Sequence, residues 1–153
     1  MILLDADVLL LDIRYPSDAR FFTNRAALDR FRNEGWRVGV TVQALLEVVG
    51  ILSFNVSPLK LPVLWRQLPI QYGLDVCPDP ESHPNYAGAT VPELLAQITK
   101  RMALGDAVQA LQIERFAPSA DCLITWNARH FHGKLSIPVM TPEEWLNSIK
   151  SHL

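Results

Sequence analysis

The chain has 153 residues, 49% of them apolar, with 14 Lys+Arg against 16 Asp+Glu and a net charge of −2. That size suits a single domain with a self-sufficient core, and the apolar content excludes a disordered chain. The charge balance excludes a protein that holds nucleic acid by charge alone, and no apolar run reaches the roughly 18–20 residues of a membrane span.

Met1 to Leu4 is a short apolar run ended by an acid, the pattern of a buried parallel strand whose carboxyl end opens into a site. The opening MILLDADVLLLD carries Asp5, Asp7 and Asp12 and no basic leader, so it does not read as a secretory signal. Ser17 is placed to cap a helix running to about Asn33 and ended by Gly35. Trp36 to Val40 reads as a second strand, and Thr41 as the N-cap of a helix from Val42 to about Phe54.

Seven of the 11 prolines lie between Ser57 and Pro92, so regular structure is expected to be sparse there. Leu59 to Leu68 reads as a short helix interrupted by Pro62, Leu74 to Cys77 as a strand, and Cys77 to Gly88 as a polar loop. Thr90 caps a helix from Val91 to about Leu104. A further helix from Asp106 to Phe116 follows, with Gly105 as the break. Cys122 to Thr125 and Ile137 to Met140 read as strands. Thr141-Pro142-Glu143-Glu144 is a capping box that opens a final helix running to the end. Alternating strand and helix predicts an α/β fold in one domain, 1–153, with helices on both faces of a parallel sheet. Sites in such sheets form at the carboxyl ends of the strands, near the switch in strand order. Cys77 and Cys122 make neither a disulfide framework nor a zinc spacing and read as buried thiols of a cytoplasmic protein.

Asp5 ends the first strand, and Asp7 follows two residues later. Glu47 lies in the apolar stretch TVQALLEVVGIL, and Asp106 in LGDAVQALQIERF. A buried carboxylate needs an arginine, a backbone cap or a metal ion. No Lys or Arg lies within a helical turn of Glu47, and Lys100 and Arg101 are wrongly spaced to pair with Asp106. Converging carboxylates would bind Mg²⁺ or Mn²⁺, because hard cations take oxygen ligands. The plainer alternatives are a Glu47 that points to solvent and an Asp106 that caps its own helix.

LLDADVLL, TVQALLEVVG, GDAVQA and DCLITWNARHF, in this order and spacing, resemble the PIN-domain ribonucleases, and among them the VapC-like toxins of toxin–antitoxin pairs. The resemblance runs from Ile2 to about Trp145. It implies a three-layer α/β/α sandwich with a central parallel sheet, and metal-dependent hydrolysis of RNA phosphodiesters. Its acidic site maps to Asp5, Glu47 and Asp106 as catalytic residues and metal ligands. A fourth position, usually aspartate, is Asn127 here, which keeps an oxygen but loses a charge. Thr125 is implied to hold the site by hydrogen bonding. Asp7, where the family often has a small polar residue, reads either as a supporting acceptor for a metal-bound water or as an acid at a helix N-terminus. The implied partners are RNA, an antitoxin protein and a second copy of the chain.

Trp126 and Arg129 flank Asn127 and suit stacking on bases and phosphate binding. From 14 to 37, six arginines, Arg14 first, stand against three acids, locally +3. They read either as a basic face for RNA or as intrahelical pairs such as Arg25–Asp29 and Arg30–Glu34. Leu64 and Trp65 belong either to the core or to a partner-facing surface, and His130-x-His132 is a weak metal pair. Two competing functions remain. One is a degenerate PIN domain that binds RNA or a protein without cutting. The other is a haloacid-dehalogenase-like phosphatase with Asp5 as nucleophile and Asp7 as acid/base, a pattern that leaves Glu47 unexplained and has Ala110 in place of its second acid.

Overall fold

The computed structural model describes residues 1–85 and 88–150. Five strands, β1 (Ile2–Leu4), β2 (Val38–Thr41), β3 (Leu74–Cys77), β4 (Cys122–Ile124) and β5 (Val139–Met140), form one sheet in the order β3-β2-β1-β4-β5. Every pairing is parallel. The α-helices are α1 (Ala6–Arg14), α2 (Phe21–Asn33), α3 (Val42–Leu52), α4 (Leu61–Tyr72), α5 (Val91–Thr99), α6 (Leu104–Phe116) and α7 (Pro142–Lys150).

The central strands alternate between two cores, as side chains of period two must. Ile2, Leu4, Cys122 and Ile124 join a core with α1, α2, α3, α4 and α7, centred on Leu9, Phe31, Leu45 and Trp145. Leu3 and Leu123 point the other way, to Ala107, Ala110 and Ile113 of α6, with Phe131 and Leu94 beside them. Helices therefore cover both faces of a parallel sheet, the three-layer α/β/α architecture expected from the sequence. No helix among the described residues is long and apolar enough to cross a membrane.

Several boundaries differ from expectation. Asp5 stops β1 and immediately starts α1, which the sequence reading lacked: its Oδ1 accepts the Ala6 N–H at 2.7 Å. Ser17 caps nothing. The chain enters α2 through Arg20, whose own N–H is taken by Asp18. Trp36 lies outside β2. Pro62 falls in the first turn of α4, where a missing N–H costs nothing, and that helix continues past Pro69 to Tyr72. Gly105 lies inside α6; the break comes earlier, after Thr99, where Arg101 adopts φ 61°. Thr41 and the Thr141–Glu144 box cap their helices as expected. The end of the predicted final helix, 151–153, and residues 86–87 of the polar loop lie outside the described residues. Both cysteines are free; Cys122 is buried and Cys77 only partly so.

Candidate active site

The sheet is built outward in one direction by β2 and β3 and in the other by β4 and β5, so the order reverses between β1 and β4. The carboxyl ends of these two strands border the crevice where α/β sheets hold ligands. Asp5 sits there. Its N–H donates to the Ile124 carbonyl at 3.0 Å, and its Oδ2 accepts the Thr125 hydroxyl at 2.7 Å. Thr125, fully buried just after β4, thus ties the two strand ends together through Asp5. Burial raises the Asp5 carboxyl, opposed by its hydrogen bonds from Thr125 and Ala6, and the Asp106 charge raises it further.

Asp7, in the first turn of α1, reaches the same loop. Its Oδ2 accepts the N–H groups of Trp126 at 2.9 Å and Asn127 at 3.1 Å, and lies 3.1 Å from Thr125 Oγ1. Its Oδ1 is buried without a hydrogen-bond partner. Burial, then the neighbouring Asp5, push this carboxyl up to about 7 despite the bonds to Oδ2.

Glu47 stands on α3 with its surface open to solvent. Loss of water on its inner side, then Asp5 and Asp106, raise its carboxyl. Asp106 lies in the first turn of α6, whose N-cap is Ala103, so it is not the cap of its own helix. Its Oδ2 stands 3.3 Å from His130 Nδ1. Four elements therefore send acids toward one another, and the fields of Asp5, Glu47 and Asp106 overlap. Among the described residues no three acid, histidine or cysteine side chains approach closely enough to hold a metal ion as they stand. The donor chemistry nevertheless fits a hard divalent cation. All the converging groups are carboxylates, and a cation would relieve their mutual repulsion.

Two further residues belong to the site. Gln109, one turn beyond Asp106 and buried, turns its carboxamide toward Asp5 and favours the charged carboxylate, without a hydrogen bond of ordinary geometry. The i,i+3 spacing from Asp106 was a readable signal. His130, weighed only as half of a metal pair with His132, stands beside Asp106 instead. That contact joins α6 to the loop after β4, and no sequence spacing announces it.

The outlying candidates separate. Trp126 is half-buried; its indole N–H donates to Asn24 at 2.8 Å, and the Arg20 guanidinium lies 5.4 Å from its ring. Asn127 is exposed, and its backbone N–H serves Asp7 and Thr125. Arg129 is exposed and forms no ion pair among the described residues. Arg14 donates to the Ile51 carbonyl at 3.3 Å and lies over the Tyr15 ring. The basic stretch is largely neutralised. Arg20 pairs with Asp18, Arg25 with Asp12 and Asp29, Arg30 with Glu34, and Arg37 with Asp75. Leu64 and Trp65 pack against the core.

No family model and no curated protein matches the chain. Solved structures do. The structure of FitAB bound to an IR36 DNA fragment matches with a TM-score of 0.60 at 19% identity, over 94% of this chain and 96% of that one. VapBC2 from Rickettsia felis, bound to a DNA fragment from its promoter, matches with 0.60 at 15% identity, over 92% and 98%. FitAcB from Neisseria gonorrhoeae matches with 0.60 at 18% identity, over 93% and 98%. The chain thus shares, nearly end to end, the PIN-like three-layer fold of the FitAB and VapBC2 structures, and places Asp5 at the strand-order reversal of that fold.

Proposed function

We propose that the chain is a metal-dependent endoribonuclease acting as the toxin of a toxin–antitoxin pair. The observation that carries this reading is that Asp5, Glu47 and Asp106, from three separate elements, stand within one another's electrostatic field, with Asp5 at the switch between β1 and β4. Such a cluster is costly to a fold unless a cation uses it. Asp5, Glu47 and Asp106 would hold Mg²⁺ or Mn²⁺, with Asn127 offering a neutral oxygen at the rim. When bound, the cation supplies Lewis-acid activation of water and neutralises charge on the phosphodiester. Thr125 keeps Asp5 aimed into the cleft through the 2.7 Å bond, and His130 steadies Asp106. Glu47, the most open of the three acids, would either ligate the cation directly or take a proton from the attacking water. A phosphatase would need Asp5 free to attack, whereas both its oxygens accept hydrogen bonds. The likeness to the FitAB and VapBC2 structures supports an antitoxin partner and association with a second copy.

Cleavage of single-stranded RNA with Mn²⁺ or Mg²⁺, stopped by EDTA, is the direct test. Asp5→Asn and Asp106→Asn should each reduce cleavage at least about 100-fold with the fold intact by circular dichroism. Wild-type rates in either variant would refute the site, and cleavage undiminished by EDTA would refute the cation. Asn127→Asp adds a fourth charge and should tighten Mn²⁺ binding by calorimetry; unchanged affinity places Asn127 away from the cation.

A further inference from the structure

Helix α3 carries a row of exposed residues at i±4 spacing: Leu46, Gly50 and Phe54, the last in the 3₁₀ turn Ser53–Asn55 that prolongs the helix. Leu46 is 41% exposed and Phe54 87%. Gly50 stands between them in ordinary helix, and a Cβ added there would meet nothing within 4 Å. Glycine in a helix interior is destabilising relative to alanine. The chain's other six glycines each have a reason inside the chain, a positive φ or a neighbour 3.3 Å or closer to where a Cβ would stand. Gly50 has neither, so nothing within the single chain calls for it. What a bare backbone on a solvent-facing ridge permits is the close approach of another helix.

We infer that α3 is the helix through which two copies of this chain pair, crossing at Gly50. The inference rests on the second-copy association proposed above and adds its face and crossing point; it does not rest on the ribonuclease chemistry. Bulk, gap and bulk are arranged symmetrically about Gly50. Two such ridges, crossing antiparallel on a twofold axis, set Leu46 of each copy against Phe54 of the other. Glu47 is the single charge between Thr41 and Leu59, and the same axis sets it toward Ser53 and away from a second Glu47. A ridge with one acid and no base gives a partner of opposite charge little to read. It gives a second copy no repulsion to overcome. Large apolar side chains stay exposed on the elements that follow. Leu59, in the turn Pro58–Lys60, is 89% exposed, and Val63, on α4, is 42% exposed; α4 packs on α3. The four apolar residues together expose on the order of 500 Å², more than half of the roughly 800 Å² that each partner buries in a standard interface.

Sedimentation velocity of the full chain is the test. Across roughly 1–100 μM, a range that interfaces of this size reach, the wild type should pass from 17.2 kDa to twice that mass. Gly50→Leu fills space that is open in the single chain, so it should melt no lower than wild type. It should nevertheless weaken pairing at least about 10-fold, as loss of a central contact does. Phe54→Ser, on the surface, should weaken pairing by a similar factor, and keeps the inference testable if Gly50→Leu fails to fold. Gly50→Cys should link two copies on oxidation, because the crossing brings both positions to the axis, whereas Phe22→Cys, exposed on α2, should not. Pairing undiminished in either folded variant, or no more linking at Gly50→Cys than at Phe22→Cys, would overturn the inference and leave a second copy bound through another face. A wild type that stays at 17.2 kDa throughout would overturn both the inference and the second-copy association. That result would hand the ridge to a different partner and leave the ribonuclease reading to its own test.

Discussion

Asp7 accepts two backbone N–H groups on one oxygen and has no partner for the other. Its carboxyl is raised from 3.8 to about 7 by burial and by Asp5. A raised acid binds its proton more tightly in the folded chain than in the unfolded one. The stability it contributes is therefore present below about 4 and lost as pH rises through about 7. Asp7→Asn removes the charge and keeps the acceptor for Trp126 and Asn127. In EDTA the variant should melt higher than wild type at pH 8, by an amount worth a few kcal/mol at most, and the gap should close toward pH 4. A gap that stays constant with pH would mean that Asp7 does not titrate in this range. At this scale the acids were legible in the sequence, because a lone carboxylate in an apolar run demands an explanation. His130 carries no such signal, and Gln109 only its i,i+3 spacing from Asp106. Neither residue type is unusual in its own segment, and their roles arise only where α6 meets the loop after β4 and the end of β1.

The elements follow local chemistry wherever a cap or a glycine decides them. Thr41 closes β2 and opens α3 in one residue, its Oγ1 accepting the Ala44 N–H at 3.1 Å. Thr41→Ala should lower stability by about 1 kcal/mol in urea unfolding, and should loosen the helix that carries Glu47. Gly39 is in β2 for a different reason. A Cβ there would meet Asp75 O at 3.0 Å and Met1 Sδ at 2.8 Å. The thioether can move, but the carbonyl belongs to the neighbouring strand, so Gly39→Ala should destabilise by about 1–3 kcal/mol by the same measurement. The missed element, α1, shows the limit of reading by hydrophobic runs. LLDADVLLLD is apolar on both sides of Asp5, and the Asp5 cap, not a change of periodicity, divides strand from helix. Pro62 misled in the opposite sense, since proline punctuates a helix interior but is accommodated in a first turn.

Across the whole molecule, Asp12 links three helices. It lies on α1, accepts two bonds from Arg25 of α2 at 3.1 and 3.0 Å, and takes the Tyr72 hydroxyl of α4 at 2.7 Å. Tyr72→Phe removes one bond and should lower stability by about 1 kcal/mol; Asp12→Ala removes the hub and should lower it by about 2 kcal/mol, discounted because Arg25 is partly exposed. Equal melting of the two variants would show that the hub adds nothing beyond the tyrosine. Most arginines of the locally +3 stretch 14–37 pair with acids, two of them with acids distant in sequence, Arg25 with Asp12 and Arg37 with Asp75. The sequence by itself determined the α/β class, the parallel sheet, the caps at Thr41, Thr90 and Thr141, and the list of acids. Those follow from periodicity, capping and the cost of burying charge, all of which act within a turn or a strand. Only the tertiary structure decided the strand order, and with it the crevice between β1 and β4, the reach of Thr125 across 120 residues to Asp5, and the fixed indole of Trp126. Contacts between elements distant in sequence are set by how whole layers pack, and no local pattern of residues encodes that distance.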